Sequence, residues 1–124
     1  MWICRNDAFL SAVKDVHTPN GLMVRARRKE HLEDAFPDRI DEIYSVPVSD
    51  YAWRIRISKF DFTKMLAEYV DDIEYDNFKD SVDDKRLKNF YNEVWWSGLY
   101  MQDQSPLEHY YGVKYGDGEV FTHL

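Results

Sequence analysis

Cysteine is almost missing from this sequence: among its 124 residues only Cys4 carries a thiol. A single cysteine excludes an internal disulfide framework, a CxxC redox pair and a zinc site built from thiolates. Cys4 itself reads as a small buried apolar side chain in the first strand. Glycine (5) and proline (4) are scarce, and no Gly/Ser linker, low-complexity tract or internal repeat interrupts the chain. No stretch approaches the ~18 apolar residues that a membrane-spanning helix needs. The opening Met1-Trp2-Ile3-Cys4-Arg5-Asn6-Asp7 brings charge too early, and its apolar run is too short, for a signal peptide. The expectation is a soluble cytoplasmic protein in a reducing compartment, with no membrane contact.

Catalytic signatures are lacking as well. His17, His31, His109 and His123 show no HExxH or HxH spacing, and each reads as a surface histidine. There is no nucleophile elbow, Walker A loop or GxGxxG. Gly116-Asp117-Gly118 reads as a turn, because no helix start follows it to aim backbone amides at a phosphate. No catalytic residue, no metal ligand set and no cofactor are expected, and the reading leans away from an enzyme.

Aromatic residues are abundant by contrast: 4 Trp, 9 Tyr and 7 Phe, 16% of the chain. Disordered chains are poor in them, so a packed core follows. Residues 2–5 and 8–16 read as two strands turned at Asn6-Asp7. After the Thr18-Pro19-Asn20-Gly21 turn, residues 22–28 form a third strand, with Leu22, Val24 and Ala26 on one face and Met23, Arg25 and Arg27 on the other. A short helix over 29–36 stops at Pro37, and a strand over 42–46 follows. In the strand over 51–58, Tyr51, Trp53, Ile55 and Ile57 share one face, and Arg54 and Arg56 the other. Phe62, Met65, Leu66, Tyr69, Val70 and Ile73 keep helical spacing, with Ser58 as the cap and Asp61 in the capping-box position. A second long helix over 84–102 carries the stripe Leu87, Phe90, Tyr91, Val94, Trp95, Gly98 and Leu99.

This pattern predicts an α+β domain over residues 1–104, an antiparallel sheet with helices packed on one face in a ferredoxin-like arrangement. Residues 105–124 read as a tail with a terminal hairpin around Gly116-Asp117-Gly118.

Several motifs carry a family resemblance: the Trp-Ile start, Phe9-x-Ser11-x-Val13, Val24-Arg25-Ala26-Arg27, Asp50-Tyr51 with Arg54, the segment over 72–80 and Tyr91-x-x-Val94-Trp95. Together they resemble a family of small uncharacterised proteins of bacteria and their phages. The resemblance covers residues 1–101, with Tyr75-Asp76-Asn77-Phe78-Lys79 its most specific part. It implies a domain that folds alone and a bacterial or phage source, and brings no activity.

The formal charge of −7 is unevenly spread. Residues 1–64 carry a net +1 and residues 65–124 a net −8. Three surfaces follow. Arg25, Arg27, Arg54 and Arg56 line one sheet face if their strands share a sheet, and guanidinium forks suit carboxylate and phosphate. Asp71, Asp72, Glu74, Asp76, Asp80, Asp83 and Asp84 form an acidic run; it lacks EF-hand spacing and reads as a partner-facing surface. Trp96 and Tyr100 lie i, i+4 on the last helix as an aromatic contact patch. The leading expectation is a non-enzymatic protein-binding accessory domain of bacterial or phage origin, with a protein partner or a second copy in a homodimer. One form of it is a phage inhibitor whose acidic half occupies the basic groove of a host nucleic-acid enzyme. The alternatives are a nucleic-acid- or anion-binding domain using the arginine face, and a small enzyme.

Overall fold

The computed structural model describes residues 1–102, which divide into a compact unit, Met1–Ser81, and a second unit that begins at Val82. The expected tail and its hairpin lie outside the described residues.

The first unit holds a five-stranded antiparallel sheet: β1 (Trp2–Cys4), β2 (Phe9–Lys14), β3 (Gly21–Ala26), β4 (Tyr44–Ser45) and β5 (Trp53–Ser58), in the spatial order β1-β2-β3-β5-β4. That order is not the usual ferredoxin-like one. Local turn chemistry makes the first three strands a meander. Arg5 N–H donates to the Ala8 carbonyl at 2.9 Å across Asn6-Asp7. At the next turn Asn20 takes a positive φ of 57°, a conformation Asn tolerates better than most residues. Gly21 follows because a Cβ there would meet Thr18 side-chain atoms at 3.0–3.1 Å.

Helix α1 (Lys29–Ala35) and helix α2 (Lys59–Asp71) pack on one sheet face. Leu10, Ala12, Val24, Ala26, Ile55 and Ile57 from the strands meet Leu32, Ala35, Phe36, Phe62 and Met65 from the helical segments. Each fully buried Val, Leu or Ile side chain among them contributes about 1.5–3 kcal/mol. Ser58 caps α2, its hydroxyl accepting the Asp61 N–H at 3.1 Å. The Asp61 carboxylate turns instead to Arg39, at 3.0 Å, on a 3-10 segment (Pro37–Glu42) that takes up Glu42, which the sequence assigns to the start of a strand. The predicted stripe of α2 is buried only at Phe62 and Met65; Val70 and Ile73 are exposed.

Two single-residue expectations are corrected. Cys4 is exposed on the sheet's edge strand, not buried. An edge strand has no neighbour to cover it. His31 is buried, not a surface residue. Its Nδ1 accepts the Phe9 backbone N–H at 3.2 Å, beyond the end of the β2–β3 ladder, so the ring supplies an acceptor where the strand carbonyls have run out.

The second unit contains α3 (Lys85–Met101), capped by Asp84, whose carboxylate accepts the Leu87 N–H at 2.9 Å. Leu87 and Tyr91 are buried, whereas Val94 and Trp95, both expected in the buried stripe, are 43% and 46% exposed. Helical spacing decides which side chains share a face; burial needs a neighbour along its whole length.

Candidate anion-binding site

The helices cover one face of the sheet, and the arginines lie on the other. Residues directly opposite in a sheet share a face, and the registers assemble a row. Trp2 faces Ser11, Ser11 faces Arg25, Arg25 faces Arg54, and Arg54 faces Tyr44. One pair further along, Val13, Met23 and Arg56 align in the same way. Arg25, Arg54 and Arg56 thus come together on adjacent strands, and Arg27 lies two residues beyond Arg25.

Like charges directly opposite one another destabilise a sheet, so Arg25 and Arg54 need compensation. Arg25 Nη2 donates to Ser11 Oγ at 2.8 Å, and Arg54 Nη2 donates to Ser49 Oγ at 2.6 Å. The Tyr51 ring is shared: the Arg25 guanidinium carbon stands 4.5 Å from its centroid and that of Arg27 4.3 Å. Such contacts contribute about 0.5–1 kcal/mol each at exposed sites. Neutral hydroxyls and a ring face offset the repulsion without cancelling the charge. Among the described residues no carboxylate pairs with Arg25, Arg27 or Arg54. The Nε–H groups of Arg25 and Arg54 are buried with no hydrogen-bond partner.

Tyr51 corrects a second-face expectation. The alternation of β5 extends it onto the apolar face, but β5 begins at Trp53. Tyr51 belongs to the preceding turn, where its N–H donates to Ser49 Oγ (3.2 Å) and Asp50 Oδ1 (3.0 Å), and its ring is delivered beneath the arginines.

A cavity of about 300 Å³ opens here, lined by Arg25, Arg54, Arg56, Lys14, Asp15 and Tyr44 among others. Asp15 is the unusual member, with a carboxylate only 1% exposed. Its Oδ1 accepts the His17 backbone N–H at 3.0 Å. That bond foremost holds the carboxyl below the ordinary range, with the Thr18 hydroxyl and Arg56 adding to it, against the burial that pushes the other way. Oδ2 has no hydrogen-bond partner. Arg56 Nε stands 3.8 Å from it, beyond hydrogen-bond distance.

Four cations around one ionised carboxylate can attract and orient an anion. A carboxyl group held below its ordinary range serves as a hydrogen-bond acceptor. Strand alternation singles out the arginines, but nothing in the sequence pattern marks Lys14 or Tyr44 as their neighbours. A signal existed for Asp15, since the Thr18-Pro19-Asn20-Gly21 turn folds the end of β2 back beside β3.

The other predicted residues are placed differently. Asp71 ends α2, and Asp72 follows as its C-cap, where carboxylates meet the unfavourable end of the helix dipole; Arg5 offsets this with a 3.3 Å contact to Asp72. Glu74, Asp76 and Asp80 are exposed in the segment after α2. Asp83 and Asp84 belong to the second unit, and Asp84 is committed to capping α3. Among the described residues no group of three His, Cys, Asp or Glu side chains could hold a metal ion, and no helix is long and apolar enough to cross a membrane. Trp96 is half-buried and edge-on to Trp95 at 5.1 Å, and Tyr100 is exposed.

Comparison with known proteins finds no matching family model, no matching curated protein and no matching solved structure.

Proposed function

We propose that this chain is an anion-binding domain that works through the open face of its sheet. One observation carries the reading: Arg25 and Arg54 face each other across β3 and β5, with buried Nε–H groups unanswered and no carboxylate between them among the described residues. Two like charges held in register repel, and an oxyanion held between the two guanidiniums relieves that repulsion. Concavity favours a compact anion over an extended strand. The Tyr51 ring, already stacked against two guanidiniums, is not a free platform for a nucleic-acid base. In this reading the helices cover one face of the sheet and the other is kept for ligands.

Titration of the full chain with inorganic phosphate, followed by calorimetry and amide NMR shifts, tests it. The expected result is binding that weakens as salt rises and vanishes in the Arg25→Gln/Arg54→Gln variant. Absent binding, or binding that the variant retains, overturns it.

A second reading is the protein-binding accessory domain of bacterial or phage origin, acting through the acidic run. The exposure of Asp71, Glu74, Asp76 and Asp80 favours it. Neutralising Asp71, Asp72, Asp76 and Asp80 together should abolish co-purification of a partner, and unchanged co-purification sinks it.

A further inference from the structure

The cavity on the arginine face is lined by a carboxylate as well as by cations. Asp15 is almost wholly buried, lines the cavity, and leaves Oδ2 without a hydrogen bond. A simple inorganic anion answers the guanidiniums but offers no hydrogen-bond donor to this oxygen, whose nearest cation, Arg56, stands at 3.8 Å. A ligand matched to the whole cavity therefore carries negative charge for the arginines and, a short distance away, a hydrogen-bond donor for Asp15. That donor is not an ammonium group, because Lys14, Arg25, Arg54 and Arg56 already make the surroundings cationic. A hydroxyl donates without adding charge. The volume of about 300 Å³ lies at the small end of small-molecule sites, which suits a single sugar ring and not a dinucleotide.

We propose that the cavity binds a small phosphate ester bearing a free hydroxyl, a sugar monophosphate, with the phosphate held by Arg25 and Arg54 and the hydroxyl donating to Asp15 Oδ2. This rests on the anion-binding reading and narrows it. Arg56 stands near both groups: its Nε faces Asp15 at 3.8 Å, and its strand position places it next but one to Arg54. Tyr44, whose hydroxyl donates to the Met23 sulfur at 3.3 Å, also lines the cavity.

Calorimetric titration of the full chain with ribose 5-phosphate, inorganic phosphate and ribose separates the two levels. Ribose 5-phosphate should bind about tenfold more tightly than inorganic phosphate, the gain expected of one hydrogen bond to a charged acceptor. Asp15→Asn, which keeps an oxygen for the His17 N–H, should erase that preference, and a preference that survives Asp15→Asn overturns the assignment. Equal affinity for the two phosphates, unmoved by Asp15→Asn, overturns the sugar-phosphate assignment and leaves the anion reading standing. Binding of neither phosphate overturns both. If Asp15→Asn fails to fold, the preference for ribose 5-phosphate over inorganic phosphate in the unmodified chain decides by itself: its presence supports the assignment and its absence rejects it.

Discussion

Arg25 and Arg54 stand directly opposite each other on neighbouring antiparallel strands, each tethered to a serine hydroxyl and neither to a carboxylate among the described residues. An arrangement with two cations in register raises the energy of the empty sheet. It is sensible physical chemistry where the repulsion is discharged by an anion.

The repulsion itself is measurable. A double-mutant cycle of Arg25→Gln and Arg54→Gln, read by urea denaturation at low salt, should give a coupling of repulsive sign, about 0.2–1 kcal/mol. It should shrink at high salt. An attractive or salt-independent coupling contradicts the electrostatic account.

Tyr51 supports two guanidiniums at once. Tyr51→Leu keeps most of the apolar volume and removes the ring face, so it should cost about 1–2 kcal/mol from two cation–π contacts. Phosphate affinity should fall too, because Arg25 loses a surface that orients it. Tyr51→Phe should leave both nearly unchanged. Thermal melts and phosphate titrations of the two variants check this.

Stability should fall in acid in two separate windows. Burial foremost holds the His31 imidazole below its ordinary 6.5, so the unfolded chain takes up the proton first. The contribution of His31 is therefore complete above 6.5 and declines as the pH drops below it. Asp15, held below 3.8 chiefly by the His17 N–H, contributes fully above 3.8 and loses that contribution as the pH falls beneath it. His31→Gln should flatten the first decline and leave the second, as followed by urea midpoints across pH.

Each long helix depends on one capping side chain. Ser58→Ala removes the acceptor for the Asp61 N–H, and Asp84→Ala removes that for the Leu87 N–H. Each should destabilise by about 1 kcal/mol. The Ser58 loss should appear in the unfolding of the first unit, and the Asp84 loss in hydrogen exchange of α3. Ser58→Asp, which retains an acceptor, should recover most of the loss.

Much of this was legible wherever the signal is local. The cap at Ser58, the turn at Asn20-Gly21 and the two arginine-bearing strand faces follow from residue type and a period of two. Alternation says nothing about where a strand begins, so it carries Tyr51 onto the apolar face although β5 starts at Trp53. His31 was misjudged because its burial depends on the backbone of Phe9, 22 residues earlier. Asp15 was overlooked because, among many carboxylates, only its surroundings mark it.

The sequence by itself determined that Arg25 and Arg27 share one side of a strand and Arg54 and Arg56 one side of another, since the pleat alternates side chains whatever the neighbours are. Only the tertiary structure decided that these strands pair in the register that sets Arg25 against Arg54, that Tyr51 lies beneath Arg25 and Arg27, and that Asp15 is buried beside them. Register is a relation between segments some thirty residues apart. It is settled by which apolar faces α1 and α2 can jointly bury, and a one-residue slip of β5 would have sent Arg54 and Arg56 to the opposite side from Arg25.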